Sequence, residues 1–132
     1  MSKISVCFNE ALQIFFFRSK IEQIDDVTKE IIELLIDSNA NIEAANEDGY
    51  TPIHFAVTNK QLDVVKVLHG KGAKLDISCL PDNPDKPLHL AAKSGETKIV
   101  EYLVDSGADI NARDDENRTP LFVAVGKFVE EL

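Results

Sequence analysis

One spacing constrains this chain more than any other feature. Ala40 and Ala73 stand 33 residues apart, as do Ile32 and Val65, Leu35 and Leu68, and Pro87 and Pro120. Pro52 and Pro87 are 35 apart, and so are Ala73 and Ala108. One register with a single two-residue insertion accounts for all of these pairs. The insertion falls within 79–85, where Pro81, Asn83 and Pro84 mark an enlarged turn. Self-similarity at such a period is the mark of an array whose units bury their apolar faces only by stacking on one another.

The stretch 86–111, KPLHLAAKSGETKIVEYLVDSGADIN, shows what one unit contains. Pro87 suits the first turn of a helix, where a missing N–H costs nothing and a fixed φ is already helical. Leu88, Leu90, Ala91 and Ala92 follow, and Gly95 ends that short helix. A second begins near Glu96, with Ile99, Val100, Leu103 and Val104 spaced as one apolar face. Gly107 stops it, because glycine accepts the left-handed conformation in which the last carbonyls find donors.

TPIHFA at 51–56, KPLHLA at 86–91 and TPLFVA at 119–124 resemble the T-P-L-H-x-A motif of ankyrin repeats. The strings IIELLIDSNANIE, VVKVLHGKGAKLD and IVEYLVDSGADIN, from Ile31, Val64 and Ile99, resemble ankyrin second helices. The resemblance covers roughly 27–132 at matched period. It implies an all-α solenoid of stacked helix-turn-helix units with short β-hairpin arms, forming a single domain over 1–132. The units run over 1–45 (degenerate), 46–78, 79–113 (with the insertion) and 114–132 (partial).

Length and composition agree. A chain of 132 residues is one domain by size, and 44% hydrophobic with 28% charged residues is neither disordered nor membrane-like. A net charge of −9 argues against nucleic acid or anionic lipid as partners, since both require clustered Lys and Arg. The expected partner is a protein with a basic or polar surface. Cys7 and Cys79 lie in different units without metal-ligand spacing, which favours free thiols in a reducing, cytoplasmic compartment.

The ends depart from the pattern. Asn9 and Glu10 interrupt the apolar N-terminal stretch, so it lacks the run of a signal peptide and is too short to span a bilayer. Phe8, Leu12, Phe15 and Phe16 fall at helical spacing and read as a first helix packed on 27–36, where Ile31, Ile32, Leu34 and Leu35 face inward. The cluster at 15–17 offers an alternative, contact with another chain. Asn39 stands where other units have Gly72 and Gly107, and Lys60 stands where the next unit has Gly95. Thr51 is the strongest helix cap, whereas Lys86 removes that cap and leaves Asp85 as a partial substitute. Phe122 takes the histidine position, and the residues from Val125 match a second helix only after a four-residue deletion. Either the last unit is a shortened cap, or the chain stops within its second helix and leaves Leu121, Phe122 and Phe128 uncovered. That edge is a second route to self-association.

No constellation points to catalysis, a cofactor or a metal: phosphate-binding loops, nucleophile elbows and paired Cys-x-x-Cys motifs are all missing from the sequence. The resemblance implies that His54 and His89 hydrogen-bond backbone near the arm turns and fasten adjacent units. His69 reads as lone and exposed, and Asp114, Asp115 and Glu116 as a solvated turn. In ankyrin proteins partners are bound by arm tips and the exposed side of the first helices. By matched position these are Glu47, Asp48, Tyr50 and Thr58; then Asp82, Asn83, Asp85 and Lys93; then Asp115, Glu116 and Arg118. The set is mostly acidic, with Tyr50 as the aromatic anchor. A non-catalytic protein-binding module is the leading expectation. The alternatives are a small inhibitor or regulator of an enzyme or transcription factor and a self-associating structural protein.

Overall fold

The computed structural model describes residues 26–78 and 85–130, the side chains of 127–130 excepted. The expected N-terminal helix with Phe8 and Phe15, both cysteines, the insertion carrying Asp82 and Asn83, and the Phe128 side chain therefore lie outside the described residues. Six helices follow in order: α1 Asp26–Asp37, α2 Pro52–Thr58, α3 Leu62–Gly70, α4 Pro87–Ser94, α5 Thr97–Asp105 and α6 Pro120–Glu130. Helices α2, α4 and α6 pack side by side in one row, and α1, α3 and α5 in another, with α2 against α3 and α4 against α5 joining the rows. This is an all-α solenoid of stacked helix pairs. No strand occurs among the described residues. The arms are tight turns, closed by Asn46 N–H to the Tyr50 carbonyl and Asp114 N–H to the Arg118 carbonyl, both at 3.0 Å. One such bond per arm is too few for a ladder.

The prolines and the left-handed residues punctuate the helices as the repeat requires. Pro52, Pro87 and Pro120 open the three first helices. Asn39, Gly72 and Gly107 end the second helices at φ 69°, 102° and 93°. Each end is closed by the amide of the following alanine: Ala40 to Leu35, Ala73 to Leu68 and Ala108 to Leu103, at 2.9–3.1 Å. Lys60 adopts φ 59° where Gly95 adopts 77°, so a side chain is held in a conformation that glycine accepts freely.

The core is continuous across unit boundaries. Ile53, Ala56, Val57, Val64, Val65 and Leu68 of one unit join Leu88, Leu90, Ala91, Ile99 and Leu103 of the next. Ala56 and Ala91 occupy equivalent positions and are wholly buried, their small size allowing first helices to approach closely. Two expectations are corrected. In α1 only Ile32 is fully buried and Leu35 is half-buried, while Ile31 and Leu34 turn outward, because four apolar residues among five span too wide an arc for one face. In the last unit α6 is one unbroken helix that runs on past the point where α2 and α4 end. Phe128 stands where Gly95 breaks α4, so nothing in the sequence stops the helix there.

Candidate functional site

Two buried histidines tie the arms to the first helices. The Thr51 N–H donates to Nδ1 of His54 at 3.1 Å, which places the ring proton on Nε2, and Nε2–H donates to the Ile77 carbonyl at 3.0 Å. The Thr51 hydroxyl lies 2.7 Å from the same Nδ1 and donates to it. The threonine thus serves the ring as well as the helix end. Burial pushes the His54 pKa down to about 4, against smaller opposing effects of the Ile77 bond and the Asp85 charge. One unit on, Nε2 of His89 meets the Arg118 carbonyl at 2.9 Å. The fastening role expected of both histidines is present. Lys86, however, brings no side-chain cap, and Nδ1 of His89 has no hydrogen-bond partner.

The arm turns are built by a residue that sequence reasoning passed over. Asn46 Oδ1 accepts the amides of Asp48 and Tyr50 at 3.0 and 2.9 Å. Asp114 Oδ1 accepts those of Glu116 and Arg118 at 3.0 and 2.8 Å in the same pattern. Asp114 is buried rather than solvated, and its Oδ2 receives Nε of Arg118 at 2.7 Å. Burial alone would raise its pKa, but the Arg118 amide, guanidinium and charge outweigh that and hold it below the ordinary carboxylate value. The signal was available: Asn46 and Asp114 sit at one register position, four before Tyr50 and Arg118.

Tyr50, Asp85 and Arg118 also share a register position, and the structure gives them three different tasks. The Tyr50 ring is half-buried, edge-on to His54 at 6.0 Å and tilted on Phe55 at 5.5 Å. Asp85 is only 3% exposed. It accepts from Nζ of Lys93 at 2.9 Å and lies 3.6 Å from the Arg118 guanidinium, so it is neither an exposed contact residue nor a helix cap. The two cations at this unit boundary offset the cost of burying the Asp85 carboxylate. Arg118 bridges Asp85, Asp114 and Glu116, the last at 3.3 Å.

Of the remaining expected contact residues, Glu47, Asp48, Thr58, Lys93, Asp115 and Glu116 are exposed. Glu47, Asp48 and Asp115 enter no ion pair among the described residues, whereas Lys93, Glu116 and Arg118 are engaged with neighbours. Among the described residues the arm tips of the second and fourth units are therefore acidic, while Asp85, Lys93 and Arg118 offset one another at the boundary between the third and fourth units.

The second-helix row carries its own inter-unit contacts. His69 is neither lone nor fully exposed: Nδ1 lies 2.8 Å from the Tyr102 hydroxyl, with the rings edge-on at 5.7 Å. Lys66 stands 5.8 Å over the Tyr102 ring, and Lys71 meets Asp37 at 2.9 Å. Among the described residues no group of three His, Cys, Asp or Glu could hold a metal ion, and no helix is long and apolar enough to cross a membrane.

Comparison with known proteins accords with this architecture. A family model described as ankyrin repeats (3 copies) matches residues 71–132, and one described as ankyrin repeats (many copies) matches 29–69. Transient receptor potential cation channel subfamily A member 1 of Drosophila melanogaster is 37% identical over 99 residues, covering 73% of this chain and 8% of that protein. Human ankyrin repeat and KH domain-containing protein 1 is 36% identical over 112 residues, covering 85% and 4%. Human ankyrin repeat and SOCS box protein 11 is 31% identical over 99 residues, covering 75% and 30%. The chain thus spans a minor part of the length of each relative. Repeats of this kind generally mediate protein–protein interactions, and the periodic motif, the stacked helix pairs and both family models agree that this chain belongs to the ankyrin repeat family.

Proposed function

We propose that this chain is a non-catalytic protein-binding module whose arm tips and first helices recognise a basic or polar protein surface. The observation that carries the reading is the uneven use of charge. Asp85 is consumed at a unit boundary and Asp114 within its own arm turn, while Glu47, Asp48 and Asp115 stay exposed and outside any ion pair among the described residues. Carboxylates exposed at two arm tips attract a partner presenting lysines or arginines to both, and Tyr50, already braced by His54 and Phe55, offers rigid contact area in the same arm as Glu47 and Asp48. Thr58 and Lys93 on the exposed sides of α2 and α4 extend the same face. A reducing, cytoplasmic setting goes with this reading.

Replacing Glu47, Asp48, Asp115 and Glu116 with lysine tests it, using a partner captured from the native host. Affinity is expected to fall steeply in the reversed chain, and wild-type binding to weaken as salt is added. Unchanged affinity in a reversed chain with native circular dichroism overturns the proposal.

A further inference from the structure

The second and fourth arms are built alike and charged differently. Asn46 and Asp114 each accept two amides of their own turn, which holds the residues two and four places on in the same arrangement in both arms. By register Asp48 answers to Glu116, and Tyr50 to Arg118. In the fourth arm the Arg118 guanidinium sits among carboxylates. Its Nε meets Asp114 at 2.7 Å, one terminal nitrogen lies 3.3 Å from Glu116, and the other lies 3.6 Å from Asp85. That arm carries its own cation.

The second arm keeps the carboxylate and lacks the cation. Asp48 is exposed, as Glu116 is, and enters no ion pair among the described residues. Where Arg118 stands in the fourth arm, the second presents the half-buried Tyr50 ring, held edge-on to His54 at 6.0 Å and tilted on Phe55 at 5.5 Å. A fixed aromatic ring beside a carboxylate suits a guanidinium, whose plane stacks on the ring while its N–H fork reaches the oxygens. A compact, strongly hydrated ammonium makes neither the stack nor the fork. The third unit offers no such place at this position, because Asp85 is buried and met by Lys93 and Arg118 of the chain itself.

We infer that the tip of the second arm is an arginine site. A guanidinium from a partner protein lies on the Tyr50 ring and pairs with Asp48, taking the place that Arg118 fills in the fourth arm. The inference rests on the arm-tip reading above and names the side chain that the partner brings to this arm.

Titrating the isotope-labelled 132-residue chain with N-acetyl-arginine amide, followed by NMR, tests the site without a partner. Saturable shifts are expected, centred on residues 46–50 and on Phe55. N-acetyl-lysine amide is expected to bind at least roughly threefold more weakly. Asp48→Asn, at an exposed position, is expected to weaken the arginine derivative roughly threefold, and so is Tyr50→Leu, which keeps an apolar side chain against His54 and Phe55. Tyr50→Arg gives the second arm a cation of its own and is expected to abolish the shifts. The inference is overturned if the folded chain shows no saturable shift at this arm, if the lysine derivative binds equally well, or if binding survives both Asp48→Asn and Tyr50→Arg. A captured protein partner separates this result from the proposed function. Affinity that falls on Asp115→Lys and Glu116→Lys, yet ignores Asp48→Asn and Tyr50→Arg, upholds the arm-tip reading and overturns the arginine site. Affinity indifferent to all four charge reversals overturns the arm-tip reading, and the arginine titration still decides the site.

Discussion

Nε2 of His54 donates to the Ile77 carbonyl at 3.0 Å, so one buried imidazole holds the second unit's first helix to the start of the next arm. The bond needs a neutral ring whose Nδ1 accepts from Thr51. The folded pKa of about 4 lies below the ordinary 6.5, so the unfolded chain takes up the proton first as pH falls. Stability is full above pH 6.5 and declines toward pH 4. The loss over that window amounts to about 3 kcal/mol for this group. Urea unfolding at pH 7 and at pH 4.5 checks it, and a His54→Gln variant is expected to show a flatter profile than wild type.

Lys86→Thr is expected to stabilise the protein. Thr51 gives its hydroxyl to His54 at 2.7 Å, whereas Nδ1 of His89 is buried and without a partner behind Lys86. Restoring the hydroxyl supplies both a cap and a donor, a gain of about 1 kcal/mol. Paired with His89→Ala, the substitution should lose part of that gain, and a double-mutant cycle of unfolding free energies measures the difference.

Lys60→Gly is expected to raise stability by about 1 kcal/mol, because φ 59° burdens a residue with a Cβ and the exposed lysine makes no ion pair among the described residues to offset it. Gly95→Lys, the reverse exchange at the equivalent position, is expected to lower it by a similar amount. Thermal midpoints of the two variants should move in opposite directions.

Asp114 separates turn-building from ion pairing. Asp114→Ala removes the acceptor for the amides of Glu116 and Arg118 and for the Arg118 side chain, and is expected to cost about 2 kcal/mol. Asp114→Asn keeps the turn that Asn46 already builds with an amide, and is expected to cost about half as much. Since the carboxyl is held below its ordinary pKa, its contribution is present above that value and is lost only at lower pH, outside the window governed by His54.

Several features were legible from residues alone, because they depend on local backbone chemistry repeated at fixed spacing. Pro52 and Pro87 mark helix starts, Gly72 and Gly107 mark helix ends, and Asn39 takes the same left-handed role where glycine is missing. The strained turn at Lys60 was legible for the same reason. The candidate surface was less so. Tyr50, Asp85 and Arg118 occupy one register position, and matching by position assigned all three to partner contact. Position specifies the backbone site, but the side chain's surroundings come from the adjacent units. Asp85 turns inward because Lys93 and Arg118 reach it there.

By itself, the sequence determined the period, the boundaries of the helices before α6 and the stacking of units, since each follows from spacing and local conformational preference, while the fastening role of the two motif histidines came with the resemblance to ankyrin repeats. Only the tertiary structure decided which carboxylates are spent in ion pairs and arm turns and which stay exposed outside any ion pair among the described residues. It also decided that His69 meets Tyr102, that the orphan nitrogen belongs to His89, and that an apolar groove lies between α5 and α6. These outcomes depend on side chains brought together across unit boundaries, where a few ångströms decide whether a charge is neutralised or left exposed.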